Sequence, residues 1–178
     1  MKFNELSLDI QSKLIDETLV SDGCGIIVGD LLNDRMNELF SEYFGKDSDL
    51  DLFYSLSHLQ GDGVCFIGTL SYDELENLPF SAYIKDVENT SIRMWQNSLG
   101  NHYSHKNTVE IDIDTPREDY TSDEWNVLER EVRAWFDGVC DQLEKDGYEF
   151  LDSLMCEEAV REHLMLNNYF KDGTEILP

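Results

Sequence analysis

Four groups of residues have the types and spacing to do chemistry. Gln60-Gly61-Asp62-Gly63 is the first. Its glycines would let backbone amides approach a ligand, and Asp62 could hold a metal or a phosphate-bound cation. No Gly-Lys-Ser/Thr follows and no helix begins there, so the segment is not a P-loop. The plainer role is a hairpin turn whose Asp and Gln bond their own backbone. His58, His102 and His105 form the second group, able to join Asp62 as a metal or acid–base site. His102 and His105 are three apart, which suits chelation on a helix but here falls in a loop before a strand. No HExxH, paired cysteine or carboxylate at fixed spacing completes the set, leaving polar loop histidines as the alternative. Ser55, Ser57 and Ser104 lie near these histidines, yet the Gly-x-Ser-x-Gly turn of a nucleophile elbow is missing.

The fourth group is acidic. Glu110, Asp112 and Asp114 share one side of an expected strand, about 6.6–6.8 Å apart at a two-residue rise. One phosphate per strand every 3.4 Å or so of nucleic-acid axis, with winding included, implies a separation of roughly 7 Å. The run continues through Glu118, Asp119, Asp123 and Glu124, while Glu129, Glu131, Asp137, Asp141 and Glu144 lie off the apolar stripe of the helix that follows. Carboxylates so arranged could occupy a basic groove that normally holds DNA or RNA. A solubilising surface or a salt adaptation is the alternative.

The elements that must position these groups are legible in the hydrophobic pattern. Residues 122–146 carry one apolar stripe through Trp125, Leu128, Val132, Trp135, Phe136, Val139 and Leu143. Thr121 with Glu124 fits a capping box at its start, and Gly147 a C′ position at its end. A second helix is expected over 153–166, begun by Asp152 or Ser153, with Met155, Ala159, Val160 and Leu164 inward. Two more fall at about 8–19, using Ile10, Leu14 and Ile15, and at about 31–44, burying Leu32, Met36, Leu39, Phe40 and Tyr43. Strands are expected at 52–57 and 64–68, flanking the Gly-Asp-Gly turn, and at 91–95 and 108–114. Residues 169–176 read as a short terminal hairpin. The expected class is α+β: an antiparallel sheet of hairpins (about 52–68, 91–114 and 169–176) packed by N-terminal helices and a long C-terminal helix pair. Residues 1–178 are expected to form a single acidic domain.

Composition narrows the function. The 178 residues hold 38 Asp and Glu against 13 Lys and Arg, a net charge of −25, yet 41% are hydrophobic, enough for a core. Such acidity repels nucleic acid and anionic membranes, so neither is an expected direct partner. No stretch approaches the 18 or so consecutive apolar residues of a membrane span. Met1-Lys2-Phe3-Asn4-Glu5 lacks the basic-then-apolar pattern of a signal peptide. Cys24, Cys65, Cys140 and Cys156 are scattered without a CxxC pair, as expected of free thiols in a reducing bacterial cytoplasm. Cys65 falls in the apolar run Val64-Cys65-Phe66-Ile67, where a thiol acts as a small hydrophobe. The charge is uneven: residues 90–109 contain no acid, with Arg93 and Lys106 among them. That gap should be internal or form a contact surface, with Ile92, Met94 and Trp95 packed beneath the long helix at Trp125, Val132 and Trp135. Trp95 and Trp135 both largely solvent-exposed would overturn that core assignment and point instead to a homodimer interface through this strand.

The segment Phe53-Tyr54-Ser55-Leu56-Ser57-His58-Leu59-Gln60-Gly61-Asp62-Gly63-Val64-Cys65-Phe66-Ile67-Gly68 resembles a family of small acidic phage- and plasmid-encoded proteins that carry F-x-x-S-x-x-Q-G-D-G-x-x-F-x-G. Phe3-Asn4-Glu5-Leu6-Ser7, His102-Tyr103-Ser104-His105, Leu143-Glu144-Lys145-Asp146-Gly147-Tyr148 and Asn168-Tyr169-Phe170-Lys171-Asp172-Gly173 are similar to further pieces of that pattern, so the likeness covers most of the chain. It implies a mobile-element origin rather than a reaction; members are mostly uncharacterised or labelled antitoxins. The resulting expectation is a non-enzymatic acidic nucleic-acid mimic that inhibits a host nucleic-acid-binding defence enzyme of the restriction or CRISPR type. Glu110, Asp112, Asp114, Glu118, Asp119, Asp123 and Glu124 are its expected partner-binding set, with no catalytic residue, metal or cofactor assigned. An antitoxin-like binder of a basic toxin stays open, as does a metal-assisted enzyme built on Asp62, His58 and His105.

Overall fold

Helical and strand periodicities succeed one another along the chain, and the computed structural model realises them in that order. It describes residues 1–20, 24–57, 60–96, 104–154 and 157–175, with 19, 20, 24–27 and 157 as backbone alone. Leu8–Val20 forms α1, Cys24–Phe44 α2, Leu50–Ser55 β1, Gly63–Leu70 β2, Tyr72–Leu75 the single turn α3, Ser91–Gln96 β3, Val109–Asp114 β4, Ser122–Leu154 α4 and Glu157–Leu166 α5. The fold is α+β, with one antiparallel sheet in the order β1-β2-β3-β4. Two compact units divide the chain: Met36–Asp146, which holds the sheet, and Met1–Arg35 with Gly147–Pro178.

In the sheet unit the strands differ in how they are covered. Val64, Cys65 and Phe66 are consecutive and all fully buried, so β2 is packed on both faces. The Phe66 ring lies 4.7 Å from Phe136, 5.0 Å from Phe44 and 5.7 Å from Phe40, between α4 and the end of α2. β4 instead alternates: Val109 and Ile113 are buried, whereas Glu110, Asp112 and Asp114 are exposed. Leu128, Val132, Phe136, Val139 and Leu143 are the buried stripe of α4, as their three- and four-residue spacing requires. Burial of Ile92 and Met94 agrees with the expected inward face of β3. Trp95 does not join them. It follows Met94, so its side chain leaves the opposite face and stands across from Glu110, with the Arg93 guanidinium 5.9 Å over its ring. Trp135 packs among Phe80, Phe66 and Phe44 at 5.2, 5.9 and 6.1 Å. Trp125 packs against Tyr120, at 5.7 Å. Trp95 and Trp135 are both half-buried, so the condition set for a dimer interface is not met.

In the other unit, Phe3, Leu6, Ile15, Val160, Leu164 and Tyr169 form one apolar cluster, flanked by Ile10 and Leu14. Buried Gln11 is satisfied there, donating to Leu6 O at 2.8 Å and accepting from Arg161 at 3.5 Å. Residues far apart in sequence meet in it: Tyr169 N donates to Met1 O at 2.8 Å and the Met1 ammonium to Tyr169 O at 2.9 Å.

Several element boundaries differ from the sequence expectation. α4 does not stop at Gly147 but runs to Leu154, because Phe150, Leu151 and Leu154 continue its apolar pattern. A mid-helix glycine costs only about 1 kcal/mol against alanine, which packing overrides. Asp152 and Ser153 therefore lie inside α4 rather than capping the next helix; Ser153 Oγ donates to Phe150 O at 2.7 Å. α5 starts at Glu157, and Met155 and Cys156 lie outside the described residues. α2 begins seven residues earlier than expected, and Tyr43 on it is 46% exposed, its neighbour Phe44 taking the inward place. The terminal segment reduces to one bridge, Tyr169 to Glu175, closed by Phe170 N to Thr174 O at 2.8 Å; it is not part of the sheet, and Ile176 is outside the described residues.

Candidate functional site

The Gln60–Gly63 turn explains itself from within. Ser55 Oγ and Ser57 Oγ donate to Asp62 Oδ1 at 3.0 and 2.9 Å, and Ser57 N donates to Asp62 Oδ2 at 2.6 Å. That third bond diverts the backbone and ends β1 at Ser55, two residues before the expected strand end. Gly61 has φ +99°, the left-handed conformation the turn needs. Gly63 is required for a different reason: a Cβ there would come within 2.7 Å of the His105 ring. The two hydrolase-candidate serines of this hairpin are thus donors to Asp62. His105 Nδ1 accepts from Asn107 N at 3.0 Å, capping the short turn Lys106–Thr108 that leads into β4. His58 and His102 lie outside the described residues, so of that grouping the structure places His105 and Asp62 alone. Among the described residues, no group of three or more His, Cys, Asp and Glu is gathered to hold a metal.

Both described cysteine side chains, Cys65 and Cys140, are free and buried. Burial pushes the Cys65 thiol up to about 11, offset in part by a hydrogen bond from Gln96, and raises Cys140 as well. Neither has the lowered pKa of a nucleophile. The Cys24 and Cys156 side chains lie outside the description.

The acidic segment is assembled differently. β4 carries Glu110, Asp112 and Asp114 on its outer face, opposite Trp95, Arg93 and Ser91 of β3 respectively. Beyond it, Thr115 is buried and its Oγ1 accepts from Thr90 Oγ1 at 2.7 Å, which ties the end of β4 to the start of β3. The chain then turns through Arg117–Asp119, exposing Glu118 and Asp119. Asp123 is exposed in the first turn of α4, where the helix dipole favours a carboxylate.

Glu124 has a different task. Its Oε2 accepts from Thr121 N and Thr121 Oγ1, each at 2.8 Å, while Glu124 N donates back to Thr121 Oγ1 at 3.3 Å. The same oxygen accepts from Lys85 Nζ at 2.8 Å. The Lys85 hydrogen bond, with those from Thr121, holds the Glu124 carboxyl down at about 2. Lys85 also donates to Asp119 O, and its backbone N–H donates to Tyr120 Oη at 2.6 Å. Of the seven carboxylates in the expected set, Glu124 is therefore a cap and ion-pair group. The other six are exposed along one strand face, one turn and the start of one helix.

Two features of this region were not legible in the residue pattern. Arg133, on α4, donates through Nη1 to Val109 O and through Nη2 to Lys106 O, both at 2.9 Å, and so fixes where β4 begins. Its i,i+4 partner Asp137, 3.0 Å from Nε, was the available signal that this guanidinium is held in place. Lys106 pairs with Asp141, which raises the Lys106 pKa. Two of the scarce cations in the region, Lys85 and Lys106, are thus bound to carboxylates of α4. No described Asp or Glu is buried, in keeping with the cost of removing a charge from water. No described helix is long and apolar enough to cross a membrane. No protein-family model, curated protein or solved structure matches the chain.

Proposed function

We propose that the protein is a non-enzymatic inhibitor whose acidic face takes the place of a nucleic-acid backbone in the groove of a basic host protein. The observation that carries this reading is the outer face of β4. Three exposed carboxylates at two-residue spacing continue into Glu118 and Asp119, while the rival polar loop at Asp62 is engaged in its own turn. Exposed single ion pairs contribute about 0–1 kcal/mol each, so binding by such a surface is collective. The partner class is a nucleic-acid-binding defence enzyme of the restriction or CRISPR type.

The test begins with capture of partners from host lysate by the full chain. A captured partner that is released both by added duplex or single-stranded nucleic acid and by salt supports mimicry. A captured basic protein that nucleic acid does not displace favours the antitoxin-like alternative and overturns this one.

A further inference from the structure

Beside the start of α4 the chain builds a small apolar recess. Phe80 and Ile84 are buried, so the short turn Ser81–Tyr83 between them is anchored at both ends and presents Ala82 and Tyr83 outward. Tyr83 is 45% exposed. With half-buried Val127 of α4, these two form the apolar wall of a pocket of about 340 Å³, which Lys85, Asp123 and Glu124 complete. That volume lies near the low end of the roughly 300–1,000 Å³ of small-ligand sites and suits one large side chain.

Bonds already in place fix the shape of the recess. Lys85 N donates to Tyr120 Oη at 2.6 Å, and that hydroxyl donates to Tyr83 O at 3.5 Å. Lys85 Nζ donates to Glu124 Oε2 at 2.8 Å and to Asp119 O. The turn is thus pinned to the start of α4, and walls formed in advance spare a ligand the cost of ordering them. The same bonds decide the charge of the rim. Lys85 and Glu124 cancel as an ion pair, which leaves the exposed carboxylate of Asp123, with Asp119 exposed on the adjoining turn. An anion is repelled from such a rim, and a cationic segment is attracted to it.

We propose that this recess receives one apolar side chain of the partner protein, Phe, Leu or Met, flanked in the partner's sequence by Lys or Arg that meet Asp119 and Asp123. Carboxylates alone accept many basic surfaces, because complementary charge governs encounter rate and register more than affinity. An apolar anchor seated in a pocket adds a selection that salt does not screen. This inference rests on the acidic-surface reading and names the contact within it that is not electrostatic.

The test uses the full chain and end-capped peptides of equal charge, Arg-Arg-Phe-Arg-Arg and Arg-Arg-Ser-Arg-Arg. The Phe peptide should bind about tenfold more tightly, the worth of burying most of one such side chain. Both affinities should fall as salt rises from about 0.05 to 0.2 M, while their ratio holds. Amide shift changes found with the Phe peptide alone should centre on residues 82–85 and 123–127. Tyr83→Ser and Ala82→Gln, made separately, should each bring the two peptides to equal affinity and leave binding of the Ser peptide unchanged. Equal affinity of the two peptides for the parent, or a preference for Phe that survives both substitutions, would overturn the proposal. So would binding of Gly-Gly-Phe-Gly-Gly as tight as that of the basic Phe peptide. The acidic-surface reading is judged separately: whatever the peptides do, it stands if neutralising Glu110, Asp112, Asp114, Glu118 and Asp119 together abolishes capture of the nucleic-acid-releasable partner.

Discussion

Asp62 organises its own hairpin: three donors from Ser55 and Ser57 converge on one carboxylate. Asp62→Asn leaves one oxygen to accept and places an amide donor against a donor, so the variant should lose about 1–2 kcal/mol of unfolding free energy in urea. It should leave partner binding unchanged once folded. An enzyme built on this loop makes the opposite demand, loss of activity without loss of stability. Glu124 gives a second residue-scale expectation. Its folded pKa is lowered to about 2, so its stabilising effect is present above its unfolded value near 4.3 and is lost as pH falls through 2. Glu124→Gln should therefore be less stable than the parent at pH 7, and the gap in Tm should close between about pH 4.5 and pH 2. A constant gap across that window would detach the lowered pKa from the fold. At this scale the capping box was readable because Thr121 and Glu124 are local in sequence. Lys85 was not, because its contact spans 39 positions.

At the scale of elements, local period predicted which segments are helix and strand, and side-chain parity predicted which strand residues point inward. Trp95 shows where that reasoning was overridden by aromatic composition: its parity with Arg93, rather than with Met94, already placed it on the outer face. Helix ends were the least readable part, since Gly147 carries a stop signal that the apolar continuation in α4 outweighs. The terminal bridge was mistaken for a sheet hairpin because Gly173 and its neighbours specify a turn but not what the turn packs on. These placements predict unequal costs for two tryptophans. Trp135, amid Phe44, Phe66 and Phe80, should cost about 3–5 kcal/mol on truncation to alanine. Trp95→Ala should cost less than about 1.5 kcal/mol, as it loses a half-exposed ring and a cation–π contact with Arg93. Equal losses in denaturant titration would mean that the aromatic core has been drawn in the wrong place.

Across the whole molecule, 38 acids against 13 bases create self-repulsion that a folded chain must offset. Two scarce cations, Lys85 and Lys106, do so by pairing with α4, whereas Glu118 and Asp119 stand exposed beyond β4. That division motivates a functional rather than a purely solubilising reading of the surface. The acidity and its gap at 90–109 were visible from composition; the outward presentation of the β4 carboxylates required the sheet register. The most direct measurement compares the parent with a variant carrying Glu110→Gln, Asp112→Asn, Asp114→Asn, Glu118→Gln and Asp119→Asn, both shown folded by circular dichroism. Affinity for the captured partner is measured from about 0.05 to 1 M salt, where the Debye length falls to about 3 Å. The account predicts single changes of a few-fold at most, a combined loss of at least a hundredfold, and a salt slope that flattens in the variant. A folded five-fold variant that binds its partner as tightly as the parent, with the same salt slope, would contradict it.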